Sequence, residues 1–307
     1  MARRKGSTVN GWLVLDKPQF ITSTHALNKV KRLFDAAKAG HAGTLDPLAT
    51  GILPIAFGEA TKTIPHAVDG AKEYRFTVRW GIETNTDDAE GDPVAESAER
   101  PTCEAIEAAM SEFRGAVMQV PPRFSAIKIQ GERAYDLARD GETFEIEARP
   151  VEIHSLHIAE VPSPDSCIFE AECGKGTYVR AIARDLGRKL GCYGHVSELR
   201  RTRVGPFMES HAISLESLGE MSNSDAGRET LLGALQPVET ALDGIPALAV
   251  SGPDAARLRR GKAIILRGRD APIHQGLMYA TSGGTLVALG EVSQGELRPS
   301  RVFNLPL

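Results

Sequence analysis

The stretch GHAGTLDPLATGILPIAFGEAT, residues 40–61, constrains the fold of this chain more than any other. Glycine and threonine lead into one isolated acid, Asp46. Pro47 fixes its own φ and pushes Asp46 out of the helical region. The apolar run at 52–57 lies between two glycines, and its length and flanks favour a buried strand over a helix. The carboxylate of Asp46 is therefore predicted to lie on a stiff loop that a core strand anchors.

A carboxylate on such a loop has two interpretations. An aspartate before proline is most often a turn former whose oxygen accepts from nearby backbone N–H groups. A rigid loop is also a suitable place for a nucleophile or a general base. The density of glycines and small residues around Asp46 shifts the balance toward the second interpretation.

Periodicity places strands and helices around this loop. Residues 11–18 are predicted as a first strand, and Thr22 or Ser23 can cap a helix whose apolar residues recur at helical spacing. Residues 72–80 alternate between apolar and polar, and 195–204 are predicted as the last strand of the large domain. Strands outnumber the helices between them. This indicates an α+β protein with a mixed, largely antiparallel central sheet flanked by helices and loops.

The pattern changes along the chain in a way that predicts three parts. Residues 1–210 form a large domain, 211–244 a helical connector, and 245–307 a small all-β module of short strands between glycines. Within the large domain, residues 114–142 carry a proline pair, five bases and two aromatics. Such an insertion is typical of a mobile arm that grips a polyanion, and equally of an ordinary surface excursion.

The net charge of −4 argues against a nucleic-acid partner, but the charges are unevenly distributed. Residues 83–112 carry ten acids and one base, whereas 175–203 carry eight bases and two acids. Residues 257–269 carry six bases and no acid. This distribution fits an acidic rear and a basic working face for a polyanion. Solvated helix faces are the alternative.

Other classes find little support in the sequence. No apolar stretch approaches the length of a membrane span, and the start, MARRKGSTVNG, lacks a signal-peptide core. The four cysteines form no CxxC pair, which predicts a reduced cytoplasmic protein without a metal site. His154 and His157 form an isolated HxxH without a third ligand. GKGT at 174–177 lacks the first glycine of a phosphate-binding loop.

Four separated stretches, in this order, resemble the bacterial TruB-type tRNA pseudouridine-55 synthases: GHAGTLDPLATGILPIAFGEATK, KEYRFTVRWGIETNTDDAEG, QVPPRFSAIKIQGERAYDLARDG and GKGTYVRAIARDLGRKLG. The resemblance covers roughly residues 10–210, and 245–307 resemble a PUA domain, an RNA-binding module. It implies the pseudouridine synthase fold, and an enzyme that converts a T-loop uridine of tRNA into pseudouridine without metal or cofactor. The chain departs from the family at Phe20, where glycine is usual.

The resemblance also assigns roles to residues. Asp46 matches the catalytic aspartate, Tyr74 the tyrosine that stacks on the target base, and Leu199 a leucine of the uracil pocket. Tyr178 and Arg180 match the tyrosine and arginine of the GTYxR stretch. The carboxylate can assist by covalent attack or by deprotonating the sugar, and the sequence favours neither. An arginine would hold and orient it, which suits Arg180; a phosphate contact is the alternative.

Two further residues complete the predicted site. A uridine in a structured loop must be flipped out to be reached, at a cost of a few kcal/mol, and stacking on a tyrosine can offset about 1–3 kcal/mol. His41 matches the loop histidine near the displaced nucleotide, with a backbone-bonded loop histidine as the alternative. Lys17, at the end of the first strand, is expected to support the site, with a surface lysine as an equal alternative.

The predicted partner is tRNA, through its T-stem and T-loop, and the asymmetric charge predicts a monomer. The rival from another class is an RNA-binding or chaperone protein without catalysis, which would tolerate Asp46→Ala. A glycoside hydrolase would need a second carboxylate across the site from Asp46, and no motif supplies one.

Overall fold

The computed structural model describes residues 6–125, 127–129, 131–139, 142, 144–266 and 275–306. Its strands are β1 (Gly11–Lys17), β2 (Ala39–His41), β3 (Thr50–Phe57), β4 (Lys72–Trp80), β5 (Ile82–Thr84), β6 (Pro93–Glu96), β7 (Gly115–Gln119), β8 (Lys128–Ile129), β9 (Glu132–Arg133), β10 (Arg149–Ser163), β11 (Ser166–Cys173), β12 (Gly194–Val204), β13 (Phe207–Met208), β14 (Ile213–Ser214), β15 (Ala247–Ala249), β16 (Ile264–Ile265), β17 (Gly276–Ser282), β18 (Thr285–Ser293) and β19 (Glu296–Val302). Its helices are α1 (Ser23–Leu33), α2 (Ile64–Asp69), α3 (Cys103–Met110), α4 (Ala134–Arg139), α5 (Val179–Lys189), α6 (Leu215–Asn223), α7 (Gly227–Gly233) and α8 (Gly252–Arg259).

Ten strands form one mixed sheet. Its order is β14-β1-β3-β12-β4-β11-β10-β7, with β13 paired to β12 and β2 paired to β3. The pairings of β1 with β14 and of β3 with β12 are parallel, and the others in this sheet are antiparallel. The predicted α+β class with a mixed, largely antiparallel sheet is confirmed. Strand β12 lies at the centre and joins the two halves of the sheet.

Local sequence patterns explain the elements around β12. Strand β4 spans the predicted residues, and its buried Phe76 stacks on Phe169 of β11 with ring centroids 5.4 Å apart. Helix α1 begins after Thr22, whose side chain accepts from the backbone N–H of His25 at 3.1 Å. This side chain satisfies one of the N–H groups that a helix start leaves free.

A second apolar cluster packs the C-terminal module against the large domain. Trp12 of β1 is fully buried, and its ring lies 4.9 Å from that of Phe207, centroid to centroid. The indole Nε1 donates to the carbonyl of Val238 at 3.3 Å. Leu289 and Phe303 of the module belong to the same cluster. The module therefore contacts the opposite end of the chain through a buried apolar interface.

The C-terminal module is a five-stranded sheet in the order β15-β17-β18-β19-β16. The sequence predicted strands alone, but α8 packs on this sheet through Ala255 and Leu258. Its N-cap Ser251 accepts from the backbone N–H of Asp254 at 3.3 Å, a local signal that the glycines nearby obscured. Residues 267–274, which include part of the basic run at 257–269, lie outside the described residues.

The segment from 114 to 142 divides differently from the prediction. Strand β7 is an edge strand of the large sheet and pairs with β10, Val117 opposite Val151. The excursion from the sheet therefore begins after Gln119, not at 114. It contains the β8–β9 hairpin and α4, while residues 126, 130, 140 and 141 and the side chains of three of its four bases lie outside the described part.

The predicted acidic rear is wrong for the charges nearest the sheet. Arg188 of α5 donates to both carboxylate oxygens of Glu83, at 2.7 and 2.6 Å, and Arg184 lies 2.9 Å from Asp87. Acidic and basic segments that are far apart in sequence thus neutralise one another. The alternative of a solvated helix face does not hold for Arg184, which is 6% exposed, whereas the side chain of Arg188 is 54% exposed.

Gly51 is the contact point between β3 and β12, so its replacement tests the fold. Its φ is +96°, and a β-carbon there would overlap the backbone carbonyl of Arg201. We expect Gly51→Ala to lower the free energy of unfolding by about 2 kcal/mol or more, measured by urea denaturation. Gly219→Ala is the control, because Gly219 lies inside α6 with open space around it and should gain about 0.5–1 kcal/mol. Equal stability of the two variants would contradict this account.

Candidate active site

Asp46 lies in the loop between β2 and β3, which a buried serine fixes on one side. Ser23, the first residue of α1, donates its hydroxyl to the carbonyl of Leu45 at 2.9 Å. The same hydroxyl accepts from the Leu45 backbone N–H at 2.8 Å. Both backbone groups of the residue before Asp46 are thereby satisfied, which holds the loop in one conformation.

Arg201 fixes the loop on its other side. It is 2% exposed, and its guanidinium donates to the carbonyls of Ile52 at 2.8 Å, Gly43 at 3.0 Å and Thr44 at 3.4 Å. In the sequence Arg201 stands out only as one base of the charged run at 175–203. Its place in LRRTR, near the end of a predicted strand, was a signal that it could reach the core. In the fold this strand pairs with β3, which follows the loop.

Lys17 connects the turn at 18–21 to the loop that carries Asp46. It is fully buried, and its ammonium donates to the carbonyls of Pro18 at 2.8 Å, Ile21 at 2.9 Å and Pro47 at 3.4 Å. Burial lowers the pKa of Lys17 to about 8. The alternative of a surface lysine is wrong. The side chain instead connects the residue after Asp46 to the turn at 18–21.

Arg180, in the first turn of α5, approaches Asp46 from the interior. Its Nε lies 2.9 Å from Oδ2 of Asp46, whose side chain is 37% exposed, while Arg180 is 4% exposed. Its Nη1 donates to the carbonyl of Thr86 at 2.7 Å and lies 3.5 Å from Asp88, and its Nη2 donates to Phe124 at 2.9 Å. Among the described residues Nε has no aligned acceptor, so its contact with Asp46 is an ion pair without hydrogen-bond geometry.

Tyr178 is held through its backbone. Gln119, at the end of β7, accepts from the Tyr178 N–H at 2.8 Å and donates to its carbonyl at 3.1 Å. Gln119 is 4% exposed, and it was not predicted as part of the site. The Gln119 side-chain amide has both a donor and an acceptor, and these pair with the backbone carbonyl and N–H of Tyr178. Tyr178 is the N-cap residue of α5 and makes no capping hydrogen bond with its own side chain.

A cavity of about 280 Å³ opens at Asp46 and brings five of the seven predicted residues together. The predicted residues that line it are Asp46, Tyr74, Tyr178, Arg180 and Leu199. The turn at 174–177, Lys72 and Arg201 also line it, together with the loop residues at 43–45. The cavity thus joins the loop, the centre of the sheet and the start of α5.

Tyr74 and Leu199 form the aromatic and apolar part of this cavity. Tyr74 lies opposite Arg201 in the register of β4 and β12, and it is half-buried. Burial raises the pKa of the Tyr74 phenol, and the charge of Arg201 opposes that rise. The phenol therefore stays protonated near neutral pH. Leu199 is 8% exposed and lies opposite Phe76 in the same register, two residues along β4 from Tyr74.

His41, like Lys17, is a predicted site residue that does not line this cavity. It lies in β2, paired with Ile55, outside the cavity lining. Burial, and then the charge of Arg201, lower its pKa, so the ring is neutral near pH 7. Its Nδ1 is buried and has no hydrogen-bond partner among the described residues, so the alternative of a backbone-bonded ring has no support at that atom.

The arrangement combines a partly open carboxylate, a buried cation behind it and an aromatic wall. Such a cavity can hold a flat, uncharged ring on Tyr74 and Leu199 with the carboxylate beside it. The described residues contain no cluster of three or more histidine, cysteine, aspartate or glutamate side chains that could hold a metal ion. No helix in the described part of the chain is long and apolar enough to cross a bilayer.

The fold is similar to that of chains in solved complexes. A crystal structure of a Cbf5-Nop10-Gar1 complex aligns with a TM-score of 0.74 and 27% identity, over 95% of this chain and 84% of that one. The structure of an H/ACA RNP bound to a substrate RNA containing 2'-deoxyuridine aligns with a TM-score of 0.75 and 25% identity, over 96% and 85%.

Comparison with known sequences identifies first the class of protein and then its family. The model of the TruB family pseudouridylate synthase N-terminal domain matches residues 31–179, and that of the tRNA pseudouridylate synthase B C-terminal domain matches 180–243. These matches identify a pseudouridylate synthase. The tRNA pseudouridine synthase B proteins of Nitrobacter winogradskyi and Rhodopseudomonas palustris are each 62% identical over 99% of this chain, and over 85% and 83% of their own lengths. The chain belongs to the TruB family.

The buried ammonium of Lys17 predicts a pH dependence of stability. Its pKa is about 8 in the folded chain against 10.5 for a free side chain, so the unfolded chain binds more protons between those values. The contribution of Lys17 to the free energy of unfolding should therefore be constant below pH 8 and rise with pH above it. In urea denaturation, wild type should gain stability relative to Lys17→Met between pH 8 and 10. A difference that is the same at pH 7 and pH 10 would contradict this.

Proposed function

We propose that this pseudouridine synthase acts on the T-loop uridine of tRNA, uridine 55, with Asp46 as the catalytic residue. The observation that carries the proposal is the partly exposed carboxylate of Asp46, paired with the buried Arg180 at the mouth of a cavity that Tyr74 and Leu199 line. The curated relatives are named tRNA pseudouridine synthase B, which supports tRNA as the substrate.

The reaction exchanges one bond for another on the same sugar carbon. The bond from C1′ of the ribose to N1 of uracil breaks, the ring turns, and C1′ bonds to C5. The C5 hydrogen is lost as a proton and N1 carries a hydrogen, so the product is an isomer of the substrate. Asp46 serves either as the nucleophile on C1′ or as the base that removes a sugar proton. In both cases the ionised carboxylate must face the ribose.

Arg180 is well placed to hold the carboxylate of Asp46 in position. Its other donors already bind the carbonyls of Thr86 and Phe124, so the guanidinium cannot turn away from Asp46 without losing these hydrogen bonds. Because it is buried, its charge is screened less by water and salt than that of a surface arginine. This supports a positioning role over the alternative of a phosphate contact.

The wall of the cavity suits a flipped uracil. Removing a base from its stack costs a few kcal/mol, and an aromatic partner can offset about 1–3 kcal/mol. Tyr74 supplies this face, Leu199 an apolar contact, and Tyr178 a second ring beside Arg180. We assign His41 and Lys17 supporting roles, His41 beside the loop and Lys17 beneath it.

We also propose that surfaces outside the cavity bind the tRNA. Exposed bases at the end of α8, Arg257, Arg260 and Lys262, can contact phosphates of the T-stem, as can the excursion after Gln119. The PUA-like character of 245–307, the boundaries of the three parts, a monomeric state and a cytoplasmic location stay predictions.

Replacing Asp46 tests the catalytic assignment. Asp46→Asn keeps the size of the side chain and removes its charge, so pseudouridine formation on an unmodified tRNA transcript should fall at least 1,000-fold, since the catalytic group itself is lost. Binding of the same transcript should stay within about threefold of wild type. Asp225→Asn, at an exposed turn, is the control and should have wild-type activity.

The outcomes separate the proposal from its rivals. A non-catalytic RNA-binding protein would bind the transcript without forming pseudouridine, in wild type and variant alike. Asp46→Asn with the wild-type rate would show that another group is catalytic.

The target nucleotide is tested on the RNA. Wild-type protein and an unmodified transcript should give pseudouridine at position 55, and a transcript with cytidine there should give none, because cytosine has an amino group at C4 that isomerisation would not remove. Mapping by chemical modification and primer extension distinguishes the positions. Pseudouridine elsewhere with position 55 unmodified would overturn the T-loop assignment and leave the synthase activity intact.

A further inference from the structure

Phe20 is exposed to an unusual extent for its type. Its side chain is 74% exposed, whereas the other nine of the ten phenylalanines are buried or half-buried, and all ten lie in the described part of the chain. A scattered exposed apolar residue needs no explanation by itself. Phe20 differs because its backbone conformation and its position also require one.

The backbone at Phe20 is strained. Its φ is +64°, in the left-handed region that favours glycine and costs a residue with a β-carbon about 1 kcal/mol or more. A bulky side chain at such a position is uncommon. No buried contact offsets this cost, because the side chain points into solvent. The side chain of Phe20 therefore adds little to the stability of the fold.

The turn that carries Phe20 is nevertheless rigid and adjacent to the catalytic loop. The backbone N–H of Phe20 donates to the carbonyl of Pro47 at 2.8 Å, and Pro47 directly follows Asp46. Lys17 donates to carbonyls on both sides of Phe20, those of Pro18 and Ile21. An aromatic ring is thus presented to solvent from a fixed turn, bonded to the residue after Asp46.

The surface beside this turn is concave. Gln19 lines a second cavity, of about 330 Å³, together with Leu48 and Thr50. Leu199 lines this cavity and also the one that contains Asp46, so it forms the wall between them. A nucleotide next to a uridine in the Asp46 cavity would therefore meet the turn that carries Gln19 and Phe20.

We propose that Phe20 is a substrate-positioning residue that stacks on an unpaired base flanking the target uridine. This inference rests on the proposed function, because it requires a flipped nucleotide in the Asp46 cavity. The ring of phenylalanine has a π-face and no hydrogen-bonding group, so it can recognise the face of a base and not its edge. The contact is tolerant of base identity, and it adds affinity without taking part in the chemistry.

The experiment compares three variants with wild type on an unmodified tRNA transcript. Phe20→Gly and Phe20→Asn both tolerate a positive φ and lack the ring, so the turn should keep its conformation. Each should raise KM about fivefold or more with kcat within twofold, the lower end of what loss of base stacking produces. Phe20→Tyr keeps the ring and should have the wild-type KM.

The free energy of unfolding in urea shows whether Phe20 has a structural role instead. Phe20→Gly and Phe20→Asn should be at least as stable as wild type, because they relieve strain. Unchanged KM in both variants would overturn the inference, as would a loss of stability that parallels the rise in KM. Wild-type protein that forms no pseudouridine would instead overturn the proposed function, so the two failures are distinguishable.

Discussion

The conformation of the loop that carries Asp46 depends on buried cations that bind backbone carbonyls. Arg201 and Lys17 are almost or fully buried, and the hydrogen bonds of both go to carbonyl oxygens of the loop and its neighbours. A buried charge is costly unless it is hydrogen-bonded, so loop and cations stabilise each other's positions. Asp46 lies between them as the partly exposed acid. The loop is thus held by groups that contact its backbone and leave the carboxylate of Asp46 accessible.

Strand register determines which residues reach the cavity. Strand β12 places Arg201 opposite Gly51 on one side and Tyr74 on the other. A slip by one residue would turn these side chains to the other face of the sheet. The irregularities in the β12–β4 pairing lie between Val196 and Glu198 and between Arg201 and Arg203, on either side of the site. Regular pairing is therefore kept where the site needs it.

The sequence predicted what depends on local pattern. Alternation gave β4, the cap at Thr22 gave α1, and the motifs named five of the residues that line the cavity. It did not reveal contacts between distant segments, such as the hydrogen bond of Arg201 to Ile52, 149 residues away, or that of Gln119 to Tyr178, 59 residues away. The pairing of Arg188 with Glu83 was missed for the same reason. Charge counted along a chain does not show which charges meet in the fold.

The unaligned Nε–H of Arg180 has a consequence for the movement of the acid. This donor is buried, and leaving a buried donor without an acceptor raises the energy of the resting arrangement. A small rotation of the carboxylate toward the line of that N–H would form the missing bond while keeping the ion pair. A displacement of the Asp46 carboxylate in that direction need not therefore weaken its ion pair with Arg180.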